Sequence, residues 1–288
     1  MEKQETVHCQ AYIVWQRFKR NKLAMVGLVI LLAMILAAVT ADLYLDYEKD
    51  VIGQSIADRL LPPGEGHIFG TDQFGRDVFA RLIYGGRVSL SVGFLTVAIS
   101  LAAGSLIGAV AGYFGGRTDM VIMRVIDVFM ALPSILLAIT IIAALGPSLI
   151  NLLLAMGISQ IPRFSRVVRS SVLSLKNQDY VTAARSCGCS HGWIIFHHIL
   201  PNAMGPIIVQ ATNNMAVTIL GISSMSFIGL GIQPPMPEWG SMLADAKEKM
   251  RYYPHLITVP GLAIILLVLA LTFIGDGLRD ALDPKLSD

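Results

Sequence analysis

Residues 23–41 contain no charged side chain, and neither do residues 88–113 or 257–274. A bilayer's hydrocarbon core is crossed by a helix of roughly 20 apolar residues. Three such runs in one chain read as membrane-spanning helices. Composition agrees: 54% of the 288 residues are hydrophobic and 15% charged, against roughly 25% charged in soluble domains. The expected fold is an all-α polytopic membrane protein.

Six transmembrane helices are expected: 23–41, about 88–113, 120–145, 148–161 or further if Pro162 is tolerated, 203–227 and 257–274. The first follows Arg17, Lys19, Arg20 and Lys22, a flank that places residues 1–22 in the cytoplasm. The run at 23–41 exceeds the about 7–15 apolar residues of a signal peptide, so a retained anchor is expected even though Ala38 and Thr40 would suit a cleavage site. Arg163, Arg166, Arg169, Lys176 and Arg185 mark residues 163–202 as a further cytoplasmic segment. With both termini inside, the cytoplasmic segments hold thirteen Lys and Arg, and the outer ones eight beside eleven acids. The remaining divisions are an outer segment at 42–87, a five-helix core at 88–275 and an inner tail at 276–288.

Several local features predict packing. Gly104, Gly108 and Gly112 recur every four residues, giving one helix face a close approach to a neighbour. Arg124 and Asp127, three apart, are expected to neutralise each other, and Pro133 to kink the same helix. Asp77 and Arg81 have the spacing of a surface ion pair on a short interfacial helix whose apolar face is Val78, Phe79, Leu82 and Ile83. Gln210, Thr212, Asn213, Asn214 and Thr218 load the fifth span with polar groups that face either a translocation path or neighbouring helices. Trp239, Tyr252 and Tyr253 are expected at the outer membrane edge or on a docking surface.

Chemistry-bearing patterns are sparse. No Gly-x-x-x-x-Gly-Lys-Ser/Thr loop, zincin helix or nucleophile elbow occurs, so the chain brings no nucleotide site or catalytic set. Cys187, Cys189, His191, His197 and His198 lack the usual Cys-x-x-Cys spacing of a metal site, and Cys9 stands apart. Asp72 and Asp77 have no further ligands that would make a hydrolase metal site. No basic-aromatic patch suggests nucleic acid. An ion-coupled secondary transporter would need acids in mid-membrane, and only the Arg124–Asp127 pair approaches that description.

Between the fourth and fifth runs lies a polar, helix-prone stretch of about two dozen residues, from Asp179 through Gly188 to Asn202. Gly188 provides a turn, Trp193, Ile194, Ile195 and Phe196 give a second helix an apolar face, and Pro201 is expected to end that helix. Ala183, Ala184, Gly188, Leu200 and Pro201 stand in the register of the "EAA" cytoplasmic loop of ABC-importer permeases, which this segment resembles. Thr182 replaces the usual Glu, and His198 with Leu200-Pro201-Asn202 is similar to the peptide/nickel branch. Gly70-Thr71-Asp72 with Gly75-Arg76-Asp77, Ser226-Phe227-Ile228-Gly229-Leu230-Gly231 with Trp239-Gly240, and Gly275-Asp276 through Pro284 resemble signatures of the same branch. The resemblance implies an ABC-importer permease core with a related second permease subunit, two ATPase subunits, an extracytoplasmic binding protein and the bacterial or archaeal cytoplasmic membrane. It implies no cofactor in this chain. Ala183, Ala184, Gly188, Trp193, Ile195, Phe196, His198, Leu200 and Pro201 would form the ATPase-coupling loop, with Gly188 as its turn and Trp193, Ile195 and Phe196 as anchors. The cargo implied is a di- or oligopeptide, with nickel or a nickel chelate as the alternative.

Overall fold

The computed structural model describes residues 10–64 and 66–282. Among these the regular structure is helical: α1 (Gln10–Arg20), α2 (Lys22–Thr40), α3 (Val78–Phe114), α4 (Gly116–Ala131), α5 (Ser134–Leu145) and α6 (Leu149–Leu175) come first. They are followed by α7 (Asp179–Ser186), α8 (His191–Trp193), a π-helical stretch (Ile194–Ile199), α9 (Leu200–Asn202), α10 (Met204–Phe227), α11 (Trp239–Ala246) and α12 (His255–Leu282). Residues 22–43, α3, α10 and α12 are long and apolar enough to cross a membrane, and α4 with α5 forms a fifth such segment bent by 84°. The bend falls at Leu132–Pro133, where proline denies the helix an amide donor and forces extended backbone before it.

Two expected boundaries move. The separate interfacial helix at 78–83 is instead the opening of α3, whose 37 residues give about 55 Å of helix, well beyond a bilayer core. Asp77 starts it by accepting a hydrogen bond from the Ala80 amide at 2.8 Å. Likewise α6 passes through Pro162 without interruption, so Arg163, Arg166 and Arg169 sit on its last turns rather than in a loop. That leaves residues 176–202 as the polar connection.

The helix interfaces are built on small residues. The Gly104–Gly108–Gly112 face lies against α6, where a Cβ on Gly104 would collide with Phe164 and one on Gly108 with the Ser165 carbonyl. The α2–α12 contact repeats the device, with Gly27 against Ala270 and Gly277 against Ala24. Close backbone approach is what associates helices where lipid removes the hydrophobic drive.

The Arg124–Asp127 pair does not form. Asp127 accepts from Arg166 of α6 at 2.6 Å, and Asp119 receives a two-pronged contact from Arg169 at 2.5 and 2.6 Å. Both acids therefore tie α4 to its neighbour instead of to their own helix. The Asp77–Arg81 pair is also replaced. Asp77 is occupied as a cap and by His67 at 2.7 Å, while Arg81 is buried and donates to the Val51 carbonyl at 3.1 Å.

Candidate functional site

The segment between α6 and α10 forms one compact unit on the ends of α3 and α6. Val181, Ile194, Ile195 and Ile199 are buried, in a cluster with Ala109 and Tyr113 of α3 and Val168 and Val172 of α6. Tyr113 Oη lies 2.9 Å from His191 Nδ1, and Lys176 Nζ donates to the Gly112 carbonyl at 2.9 Å. Arg185 covers the Tyr113 ring, with its guanidinium 5.7 Å from the ring centre. The unit is thus attached to the membrane helices by an apolar seat and by polar bonds at its edge.

Gly188 makes the turn between α7 and α8 with φ of +79°. No atom lies near enough to obstruct a side chain there, so the glycine is required by backbone conformation alone. Ser190 then caps α8 by accepting from the Trp193 amide at 3.3 Å.

The three expected anchors divide. Ile195 is 5% exposed and belongs to the chain's own core, whereas Trp193 and Phe196 are 51% and 56% exposed. His197 stacks on Trp193 at 3.6 Å between ring centres, giving the outer face a flat aromatic platform. Ala183 is exposed, Ala184 and Leu200 are half-buried against the core, His198 is half-buried, and Pro201 is exposed.

Pro201 does not end the second helix. The chain widens to π geometry over Ile194–Ile199 and then re-enters an α turn with Pro201 among its first residues, where no amide donor is needed. Asn202 Nδ2 satisfies the His198 carbonyl at 2.6 Å. Only Ala203 separates α9 from α10, so the unit runs almost directly into that membrane helix.

The Cys and His side chains of this region do not converge: His191 faces Tyr113 and His197 lies on Trp193. Among the described residues no three His, Cys, Asp or Glu side chains form a metal-holding group; Cys9 lies outside the described residues.

Of the polar residues on α10, Asn214 is buried and donates to Gln160 of α6 at 3.4 Å. Asn213 faces Gly275 of α12, where a Cβ would strike its carboxamide oxygen. Both side chains occupy helix–helix contacts, while Gln210 is half-buried.

The start of α3 and α11 contain what sequence reasoning missed. Trp239, expected at an exposed edge, is 2% exposed; its indole N–H donates to the Leu82 carbonyl at 2.8 Å and its ring covers Gly85 and Gly86. The missing side chains of that glycine pair are the space the ring fills. Glu238 is 0% exposed and caps α11, accepting from the Gly240 and Ser241 amides at 2.9 Å each. Burial pushes its carboxyl above the usual range, against the opposing effect of those donors. Arg76 bridges Asp72 at 2.6 Å and Asp245 of α11 at 3.4 Å, joining the outer segment to the bundle. Burial also raises the Asp245 carboxyl, with Arg76 and Arg81 acting in the opposite direction.

The sequence profile of the "binding-protein-dependent transport system inner membrane component" family matches residues 104–288. A second profile, the "N-terminal TM domain of oligopeptide transport permease C", matches residues 10–63. A dipeptide transport system permease protein DppC of Alkalihalophilus pseudofirmus is 49% identical over 94% of this chain and 89% of its own length. A di/tripeptide permease DppC of Pseudomonas aeruginosa is 43% identical over 95% and 92%. A glutathione transport permease GsiD of Pectobacterium atrosepticum is 42% identical over 94% and 90%. Among solved structures, the MetNI methionine ABC transporter in an inward-facing form superposes with a TM-score of 0.58 at 16% identity, over 70% of this chain and 96% of that one. An amino acid ABC transporter superposes with a TM-score of 0.53 at 18% identity, over 70% and 94%. The apolar helices, the glycine-packed interfaces and the seated helical unit before α10 are therefore those of a chain that belongs to the family of binding-protein-dependent transport system inner membrane components.

Proposed function

We propose that this chain is one of two permease subunits of an ATP-driven importer that carries di- or oligopeptides across the bacterial cytoplasmic membrane. The single observation that supports the peptide cargo most is the 49% identity, over nearly the full length, to a dipeptide permease. In this reading α6 is the fourth of six spans and both termini are cytoplasmic, consistent with the excess of Lys and Arg in the segments assigned to the inside. A related second permease completes the path, an extracytoplasmic binding protein delivers peptide, and two separate ATPase subunits supply the energy this chain has no P-loop to supply.

Coupling follows from where the unit is attached. Trp193 and Phe196 present an exposed apolar face suited to an ATPase groove, while Ile194, Ile195 and Ile199 hold the same segment to α3 and α6. Displacement of the exposed face therefore moves the seat as a rigid body, and Ala203 passes it to α10. The test is uptake of labelled dipeptide, glutathione and nickel by cells lacking only this gene. Loss of dipeptide uptake supports the reading. Loss of nickel uptake alone, or retention of all three, overturns it.

A further inference from the structure

We infer that the groove between α1 and the inner ends of α2, α10 and α12 is a binding site for one anionic phospholipid. The groove has a volume of about 650 Å³, and its walls include Val14, Trp15 and Phe18 of α1, Leu28 of α2, Ile208 of α10 and Leu278 of α12. Asn21 creates it. Its extended backbone, φ −80° and ψ 103°, interrupts the helix, so α1 leaves the line of α2 and lays Phe18 against Gly277 and Ala24.

The two ends of the groove differ in the way a lipid does. Arg17, Lys19, Arg20 and Lys22 fall within six residues of sequence around the lining residue Phe18, and among the described residues none of the four is ion-paired. The neighbouring acid Asp280 accepts a hydrogen bond from Asn21 at 3.2 Å. Trp15 is partly exposed, stacks on Phe18 with ring centres 5.8 Å apart and carries Lys19 Nζ at 5.1 Å over its ring. An amphipathic basic helix with such an aromatic suits the headgroup layer. Leu28 lies six residues along α2 from Lys22, about 9 Å deeper. The cations thus meet a phosphate where the groove meets the acyl chain. A soluble protein surface would have to bury all four cations with matching acids and also reach that depth, whereas an anionic lipid satisfies both ends.

The groove also touches Pro201, Asn202 and Gly205, the joint between the seated unit and α10. A bound lipid would therefore wedge the joint through which movement reaches α10. The inference uses the proposed membrane orientation and nothing about the cargo.

The assembled importer in nanodiscs, without substrate or ATP, provides the test. The probe is Trp15 fluorescence, defined by subtraction of a Trp15→Phe sample, quenched by phosphatidylglycerol or phosphatidylcholine with brominated acyl chains. Phosphatidylglycerol should quench at a much lower mole fraction, and Lys19→Gln with Arg20→Gln should reduce that preference roughly thirtyfold while Arg17 and Lys22 keep the orientation. Gly205→Phe, which fills the groove, should abolish the preferential quenching; Leu28→Phe narrows it from the opposite wall if the first variant fails to assemble. Equal quenching by the two lipids, or a preference that survives both fillings, overturns the site. So does a photo-cross-linker at Ile208 that captures an ATPase subunit in place of lipid.

Discussion

Tyr113 on the last turn of α3 and His191 on the first turn of α8, 78 residues apart, are joined side chain to side chain at 2.9 Å. The bond spans the junction between the membrane bundle and the seated unit that precedes α10. Tyr113→Phe keeps the aromatic packing and removes only this bond, worth about 1 kcal/mol. The amides of Trp193 and Ile194 should then exchange hydrogen roughly fivefold faster while those inside α3 do not change. Unchanged exchange at α8 would show that the apolar seat alone fixes the unit.

The division between Trp193 and Ile195 predicts two separable phenotypes. Trp193→Ala and Phe196→Ala remove exposed rings and should leave the chain's own stability within about 0.5 kcal/mol. Under the proposed coupling they should also weaken retention of the ATPase subunits on a column. Ile195→Ala opens the buried seat and should cost about 2–5 kcal/mol, seen as lower expression and faster proteolysis of 176–202. If all three variants lose stability equally, the exposed face has no separate role.

Gly188 supplies a backbone conformation, so even a small substitution is strained. Gly188→Ala should cost about 1–2 kcal/mol from the left-handed geometry alone. In the full importer the distorted turn should reduce peptide uptake more than ATP hydrolysis. Uptake and hydrolysis falling in constant proportion would count against a coupling role for this turn.

How much of this was legible in the sequence depended on whether the signal was local. Gly104, Gly108 and Gly112 announce a close helix contact by spacing alone, and Pro133 marks a break because it removes an amide donor and turns Leu132 to extended backbone, although α6 carries Pro162 without one. The turn at Gly188 is equally local. The partner of Asp127 was not, because Arg124 and Arg166 offer the same charge and only the placement of α6 decides between them. Trp239 looked like an interfacial aromatic because nothing nearby in sequence shows that Gly85 and Gly86 leave it a pocket. Pro201 misled for a related reason: the π widening that accommodates it is a property of the whole second helix.

Gly108 tests the packing face against a matched control. A Cβ at this position would enter the Ser165 carbonyl, and backbone there cannot move without displacing α6. Gly108→Ala should therefore cost about 1–3 kcal/mol and lower the melting temperature in detergent. Gly261→Ala places the same methyl on a membrane helix where the nearest neighbour is Leu243 Cδ2 at 4.0 Å, and should be neutral or stabilising. Equal effects would mean that the α3–α6 interface relaxes around the added methyl.

Glu238 gives a pH dependence whose sign is fixed by its surroundings. Burial raises its carboxyl in the folded chain above the ordinary value near 4.3, so the folded state holds the proton to higher pH than the unfolded state. Its contribution to stability is therefore complete below the unfolded value, declines as pH rises through the folded one, and levels off above it. The two amides at 2.9 Å limit the decline, since they favour the ionised form, but burial is the larger influence. Glu238→Gln retains an acceptor for one of those amides and removes the titration. Melting in detergent from acid to neutral pH should thus show a fall in the parent chain that is flatter in the variant. A parent chain that gains stability over the same range through this residue, with the gain lost in Glu238→Gln, would mean that the α11 cap outweighs burial and that the carboxylate is the form the fold prefers.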